Sequence, residues 1–349
     1  MARLLLIRCE SVKLLESCLA VNLFLLYADA ALILFFSPLS PCRRSVTLPV
    51  RNERMRLVVF FLWLIHWLPL PILGRIGKAL GMATYCLLRN RREITLTNLR
   101  LCFPDMDEKA RIRLAKEHFQ CYGRSVVERG ILWWSSRKRI ERLIELVPAF
   151  PIEEVRKGPV VFLCPHFVCL EVPGVVVTFN TIGSSIYMPQ KNKIFDKLLR
   201  EGRMRFNKDV LLFTRKQGVK PIIRSLRQNI PFYMLPDLDF GMQDAAFVPF
   251  FGQTAATLTA PARIAATTGA KVIPAIASFR PNYQGWRVEF WPPLPDFPGD
   301  DMVDATRRVN EFIEQRILEH PAEYLWTHRR FKTRPPGMPD VYRNNSEET

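Results

Sequence analysis

His166 and Glu171 stand five positions apart, directly after the apolar run VVFLC at 160–164. That run is β-branched and aromatic, short, and closed by Pro165, which predicts a buried strand. An imidazole held by a carboxylate suits general-base chemistry. The spacing limits how the two side chains meet, because five residues of α-helix turn through about 500° and leave them about 140° apart. Contact requires His166 in the turn before a helix and Glu171 in that helix's early turns. Such a pair would sit at a strand's C-terminal end, where the sites of α/β sheets gather. A loop histidine and a surface glutamate fit the same spacing.

Two more acids, Asp237 and Asp239, leave a second apolar run at 232–235. Acids placed there bind a metal, pair with an arginine such as Arg203, or cap the next element. With no further His or Glu close by, a metal is the weakest of the three. Arg203 and Arg205 lie two apart in a basic amphipathic stretch, 192–206, so they diverge by about 200° and only one can face a site. The closing segment 324–334 packs Tyr324, Leu325 and Trp326. It also offers Arg329, Arg330, Lys332 and Arg334 without an intervening acid. Such a segment serves either as a solubilising surface or as a contact for a phosphorylated headgroup.

The elements that must position these residues follow from periodicity. Strands are expected at 160–164, 184–188, 210–214, 232–235, 271–278 and 286–291. Helices are expected at 192–206, 219–228, 258–268 and 302–319. This alternation gives βαβ units, hence an α/β fold with a largely parallel mixed sheet flanked by helices. Upstream, 89–128 reads as helix, turn, helix. Pro104 stops the first helix, Asp107 caps the second, and Ile112, Ala115, Phe119 and Tyr122 recur at the spacing of a packed helix face.

Hydrophobic residues make up 48% of the 349, with mean hydropathy near zero, too apolar for disorder and too polar for a polytopic membrane protein. The net charge of +17 suits nucleic acid, an anionic membrane face, or phosphorylated and acidic substrates. No nucleic-acid-binding signature is present, which favours the membrane surface and anionic lipid. The cysteines include no C-x-x-C and fall in apolar contexts, as free thiols of a reducing compartment do. Serine-hydrolase, NTPase and dinucleotide-binding motifs are missing.

Two apolar stretches precede the α/β region. The first, 17–39, is interrupted by Asn22 and Asp29. The second, 57–73, is flanked by Arg56, Arg75 and Lys78, carries Trp63 and Trp67, and is weakened by His66, Pro69 and Pro71. It either spans a membrane or lies in the interface, and a membrane anchor is preferred to a buried core helix. Arg89, Arg91 and Arg92 would then keep the following domain on the cytoplasmic face.

The H-x4-E box is followed by GRMRFNK (202–208), PDLDFG (236–241), FVPFFG (247–252) and YLWTHRRFKTRPPG (324–337). In this order and spacing the boxes resemble the late acyltransferases of lipid A biosynthesis, the lauroyl/myristoyl transferases within the lysophospholipid acyltransferase superfamily. The resemblance runs from about Met55 to Tyr342. It implies a glycerolipid-acyltransferase-like fold with an N-terminal membrane-associated helix. Residues 1–54 would be an extension or follow a wrongly placed start, 55–90 an anchor or interfacial helix, and 91–349 the acyltransferase domain with its basic tail. The implied reaction is O-acyl transfer from an acyl carrier protein thioester to a hydroxyacyl chain of a Kdo-bearing lipid A precursor. It would take place at the cytoplasmic face of the bacterial inner membrane, without cofactor or metal.

In that reading His166 is the base and Glu171 fixes its tautomer, while Arg203, Asp237 and Asp239 support substrate or transition state. Leu238 departs from the family's common Gln. The segment 247–258 reads as a loop lining an acyl-chain groove, and exposed Lys191, Lys193, Lys197 and Arg200 are candidate carrier contacts. Two rivals stay open, an acyltransferase for another membrane lipid such as a lysophospholipid or ornithine lipid, and a non-catalytic membrane-surface protein.

Overall fold

A computed structural model describes residues 50–342, so the stretch 17–39 and most of the expected N-terminal extension lie outside the described residues. Helices open the described chain: α1 (Val50–Ile65), α2 (Leu70–Leu87), α3 (Arg89–Cys102) and α4 (Glu108–Trp134). Then come α5 (Arg137–Leu143), β1 (Ile144–Leu146), α6 (Ile152–Lys157), β2 (Val160–Leu163), α7 (Glu171–Asn180) and β3 (Ser184–Ile186). They are followed by α8 (Lys193–Arg203), β4 (Leu211–Phe213), α9 (Lys220–Arg227) and β5 (Phe232–Met234). The last are β6 (Ala245–Phe250), β7 (Gln253–Leu258), α10 (Ala260–Thr268), β8 (Lys271–Phe279), β9 (Trp286–Phe290) and α11 (Met302–Glu319).

Seven strands form one sheet in the order β1-β9-β8-β2-β5-β3-β4. Only β8 and β9 run antiparallel; the other neighbours are parallel, as the alternation of strands and helices predicts. β2 lies near the middle, between β8 and β5, and every one of its residues is buried. That is why its sequence is a continuous apolar run rather than an alternating one. Its register with β5 pairs Leu163 with Met234, and the Cys164 N–H donates to the Met234 carbonyl at 2.8 Å, so the two strands end level with each other.

Helices α2 and α4 pack with their backbones almost touching. A Cβ on Gly81 would lie 2.1 Å from the Phe119 carbonyl oxygen, so only glycine fits there. Asp107 caps α4 by accepting from the Ala110 N–H at 2.9 Å, and Ala115, Phe119 and Tyr122 are buried, as the helical spacing predicts.

Two expectations need correction. The segment 247–258 lies mostly within an antiparallel hairpin, β6–β7, rather than a loop; Phe247 pairs with Ala256 and Phe250 with Gln253. The apolar stretch 57–73 is not one helix. Pro69 and Pro71 divide it between α1 and α2, and among the described residues no helix is long and apolar enough to cross a membrane. α1 buries Met55, Val58, Leu62 and Ile65 in the core, while Leu57, Phe60, Phe61, Trp63 and Leu64 face outward, continued by Trp67.

Candidate active site

His166 and Asp237 each follow their strand by three residues, after Leu163 of β2 and Met234 of β5. Because those strand ends are paired in register, the two side chains meet across neighbouring parallel strands. One Asp237 oxygen lies 2.7 Å from His166 Nδ1, and the other accepts the His166 backbone N–H at 2.9 Å. The carboxylate thereby fixes both the ring and the backbone of the histidine. Both side chains are buried. Burial alone would push the Asp237 carboxyl up, but the facing His166 outweighs it and holds the group below its ordinary value. An ionised Asp237 places the imidazole proton on Nδ1, which makes Nε2 the nitrogen that can take a proton from a substrate.

The expected partner of His166 was Glu171, and here the structure corrects the sequence reading. Glu171 is the first residue of α7, and its carboxylate accepts a hydrogen bond from the Arg203 guanidinium, Nη2 to Oε1, at 2.8 Å. Arg203 is the last residue of α8. Burial would raise the Glu171 carboxyl, yet Arg203 and then Arg129 outweigh it and hold it below the ordinary carboxylate value. Of the alternatives open for Asp237, pairing with Arg203 is not the one realised, since each joins a different partner. Arg205 turns away to the Leu132 carbonyl at 3.2 Å, so only Arg203 faces the site.

Both pairs border one cleft of about 560 Å³, whose walls include His166, Glu171, Arg203, Tyr187 and Leu238, with Arg215 among its basic members. Tyr233 of β5 lines it too and donates its hydroxyl proton to the Leu170 carbonyl, tying the sheet to the start of α7. A narrower, mainly apolar cavity of about 60 Å³ adjoins at Glu171, Arg203, Tyr233 and Leu235 and runs toward Val177 and Leu212.

Asp239 does something else. Its carboxylate accepts the Thr333 N–H at 2.6 Å, the Thr333 hydroxyl at 2.7 Å and the Gly241 N–H at 3.0 Å. It pins the C-terminal segment to the loop after β5 and leaves little capacity for substrate. Two of the four basic residues of the closing segment are taken up in the same way. Arg330 is 1% exposed and donates to the Ala256 carbonyl at 2.8 Å and the Thr257 hydroxyl at 2.6 Å, while Arg334 donates to the Thr254 carbonyl at 2.9 Å. These arginines hold the hairpin instead of offering themselves to a headgroup. The segment still reaches the site, because the Leu325 N–H donates to the His166 carbonyl at 2.9 Å.

Sequence reasoning missed Arg129, which lines the cleft from α4. It also missed the His166–Asp237 contact, although a signal was present: L-C-P-H at 163–166 and M-L-P-D at 234–237 are the same strand exit twice. Among the described residues no group of His, Cys, Asp and Glu is arranged to hold a metal ion.

A buried histidine–carboxylate pair at the strand ends of a largely parallel sheet, opening on a sizeable cleft, has the parts for moving a proton from a substrate hydroxyl. The sequence model of the bacterial lipid A biosynthesis acyltransferases matches residues 45–333, and the chain belongs to this family. It is 32% identical to the lipid A biosynthesis lauroyltransferase of Escherichia coli (strain K12) over 284 residues, 80% of this chain and 92% of that one. The E. coli lipid A biosynthesis myristoyltransferase is 30% identical over 276 residues, covering 78% and 84%. The palmitoleoyltransferase of the same organism is 29% identical over 284 residues, covering 80% and 92%. The protein is an acyltransferase.

Proposed function

We propose that the protein transfers a fatty acyl group from an acyl carrier protein thioester to the hydroxyl of a hydroxyacyl chain on a Kdo-bearing lipid A precursor, late in lipid A synthesis. His166 Nε2 takes the hydroxyl proton as the oxygen attacks the thioester carbonyl. The tetrahedral intermediate then collapses, the C–S bond breaks, and the leaving thiolate receives that proton from His166. Asp237 fixes the tautomer and stabilises the imidazolium. Thioesters are already activated, so the protein's task is to deprotonate the acceptor and stabilise developing charge. Glu171 holds the Arg203 guanidinium at the cleft wall for that second task. The chemistry requires neither cofactor nor metal.

The exposed face of α1, with Trp63 and Trp67 among its aromatics, supports a protein that lies on the cytoplasmic side of the inner membrane by an interfacial helix. Lys191, Lys193, Lys197 and Arg200 are exposed around the start and along the length of α8, where an acidic carrier could dock. The observation that carries the reading is the His166–Asp237 pair opening on the cleft. Mass spectrometry of lipid A from cells with the protein, without it, and with His166→Ala tests it. One acyl chain should be missing in the last two. Unchanged lipid A beside an altered phospholipid or ornithine lipid would move the acceptor to the rival class.

A further inference from the structure

We propose that Arg129 binds a phosphate group carried by one of the two substrates. The inference rests on the acyl-transfer reading above and adds a recognition residue to the same cleft.

The buried arginines of the described chain are Arg111, Arg124, Arg129, Arg316 and Arg330. Four of them are bonded to protein acceptors, although each keeps at least one buried nitrogen without a partner. Arg111 bonds Glu108 and the Met106 carbonyl, Arg124 bonds Glu128, Arg316 pairs with Glu319, and Arg330 bonds the hairpin. Arg129 is 6% exposed, yet among the described residues it donates no hydrogen bond and has no carboxylate oxygen within 4.0 Å. Its neighbour in sequence, Glu128, is turned to Arg124, and Glu171, whose carboxylate feels the Arg129 charge, is hydrogen-bonded by Arg203 instead. Its one close ring contact is Trp133, whose centroid is 5.9 Å from the guanidinium carbon.

The donors are not sealed in apolar packing. Arg129 lines the main cleft and also a small cavity of about 10 Å³ behind it, and its nitrogens are not among the walled-off polar atoms. A buried guanidinium that opens on a cavity, and attracts Glu171 without hydrogen-bonding to it, keeps its donors for an arriving anion, and its planar fork matches phosphate oxygens. The cleft as a whole supplies the same field. Glu171 offsets Arg203, but Arg215 and Lys216 on its wall have no carboxylate partner among the described residues. A group with standing negative charge, present throughout the bound state, answers this arrangement better than an oxyanion that exists only in passing.

Two sources carry such a group: the headgroup phosphates of the lipid acceptor, and the phosphodiester of the carrier's pantetheine arm. The test uses the full-length enzyme and Arg129→Gln, with Arg129→Lys as the conservative variant. Acceptors with and without phosphate are compared, and acyl-phosphopantetheine is compared with acyl-pantetheine at one chain length. Loss of a charge-assisted contact should raise KM for the phosphorylated member of one pair by about tenfold or more, with the unphosphorylated member unchanged. Arg129→Lys should recover part of the loss, and the pair that loses discrimination names the source.

A fall in kcat alone, or discrimination unchanged in both pairs, overturns the assignment. A second readout needs no turnover. Inorganic phosphate, set against chloride at equal ionic strength, should raise the melting temperature of wild type and not of Arg129→Gln. Equal shifts in the two proteins, or none in wild type, also overturn it. If neither acceptor is acylated while phosphate still stabilises only wild type, the acceptor assignment has failed and the Arg129 site stands.

Discussion

The loops after β2 and β5 and the C-terminal segment 324–334 lie against each other, and both bury several charged side chains. In the loops, His166 meets Asp237, while Glu171 at the start of α7 meets Arg203, and each pair borders an open cleft. In the segment, Arg330 and Arg334 end on carbonyls and a hydroxyl of the β6–β7 hairpin, and Thr333 ends on Asp239. Asp237 and Asp239 make the contrast sharpest, since they are two residues apart and both buried. The first orients a histidine at a cavity, and the second clamps a tail. Charge placed for chemistry bonds one partner and keeps access to a cavity, whereas charge placed for architecture spends its bonds on several backbone and hydroxyl groups of the fold.

The largest effects should come from the first group. His166→Ala is expected to lower kcat by about 10²-fold or more, the scale of a general base, with the circular dichroism spectrum unchanged. Asp237→Asn should approach that loss, because the amide no longer favours the productive tautomer or the imidazolium. Glu171→Gln should leave more activity than either. A folded Asp237→Asn enzyme more active than Glu171→Gln would reverse the roles and restore Glu171 as the partner of the base.

Next in size is the Glu171–Arg203 pair. Removing either partner leaves the other half-buried without its hydrogen-bonded counter-charge, so each of Glu171→Gln and Arg203→Gln should cost roughly tenfold in kcat/KM. The double variant should cost much less than the product of the two. Coupling of Arg203 to Asp237 in the same kind of cycle, with none to Glu171, would contradict the geometry. Arg205→Gln, which loses the bond to the Leu132 carbonyl and the stacking on Phe206, should be milder than Arg203→Gln.

The architectural group should behave differently. Asp239→Asn and Arg330→Met are each expected to lower stability by about 1–3 kcal/mol, the scale of losing a charged hydrogen bond in a buried site. Turnover per folded molecule should stay near wild type. Denaturant melts beside active-site titration separate the two quantities. A large loss of turnover in a fully folded Asp239→Asn enzyme would move that residue back into the site.

How much of this was readable beforehand depends on the range of the interactions involved. β2 was legible because a strand paired on both sides is apolar throughout, and α11 because its apolar face repeats at helical spacing. The H-x4-E spacing located the site but suggested the wrong partner. Histidine and glutamate are near in sequence, while the contact that forms is set by the register of β2 against β5. The hairpin was hidden by its turn, where Phe251 (φ 49°) and Gly252 (φ 71°) both take positive φ. Such a turn usually announces itself with Asn-Gly, and a phenylalanine in the first place disguises it. Arg129 was unreadable, because nothing in a helical sequence tells which arginine lacks an acceptor.

The smallest effect should be a pH dependence of stability arising in the C-terminal region. Glu323 is 8% exposed, accepts the Phe279 N–H at 3.0 Å, and offers its own carbonyl to Val168 close to His166. Burial pushes its carboxyl up to about 8 from an ordinary 4.5; the Phe279 N–H and Arg124 oppose the shift, and Glu128 adds to it. Between those two values the folded chain holds a proton that the unfolded chain has released. The associated stability is therefore complete below the ordinary value and is lost as pH rises through about 8. Glu323→Gln keeps an oxygen for the Phe279 N–H and carries no titrating proton, so this part of the dependence should vanish. Melting temperatures of wild type and variant, measured from about pH 5 to pH 9, should diverge in favour of the variant as pH rises. The pH profile of kcat should be the same in both, as it would be for a group that serves the fold. Parallel melting curves would show Glu323 to be ionised in the folded chain, and a shifted kcat profile would show that this part of the C-terminal region belongs to the site after all.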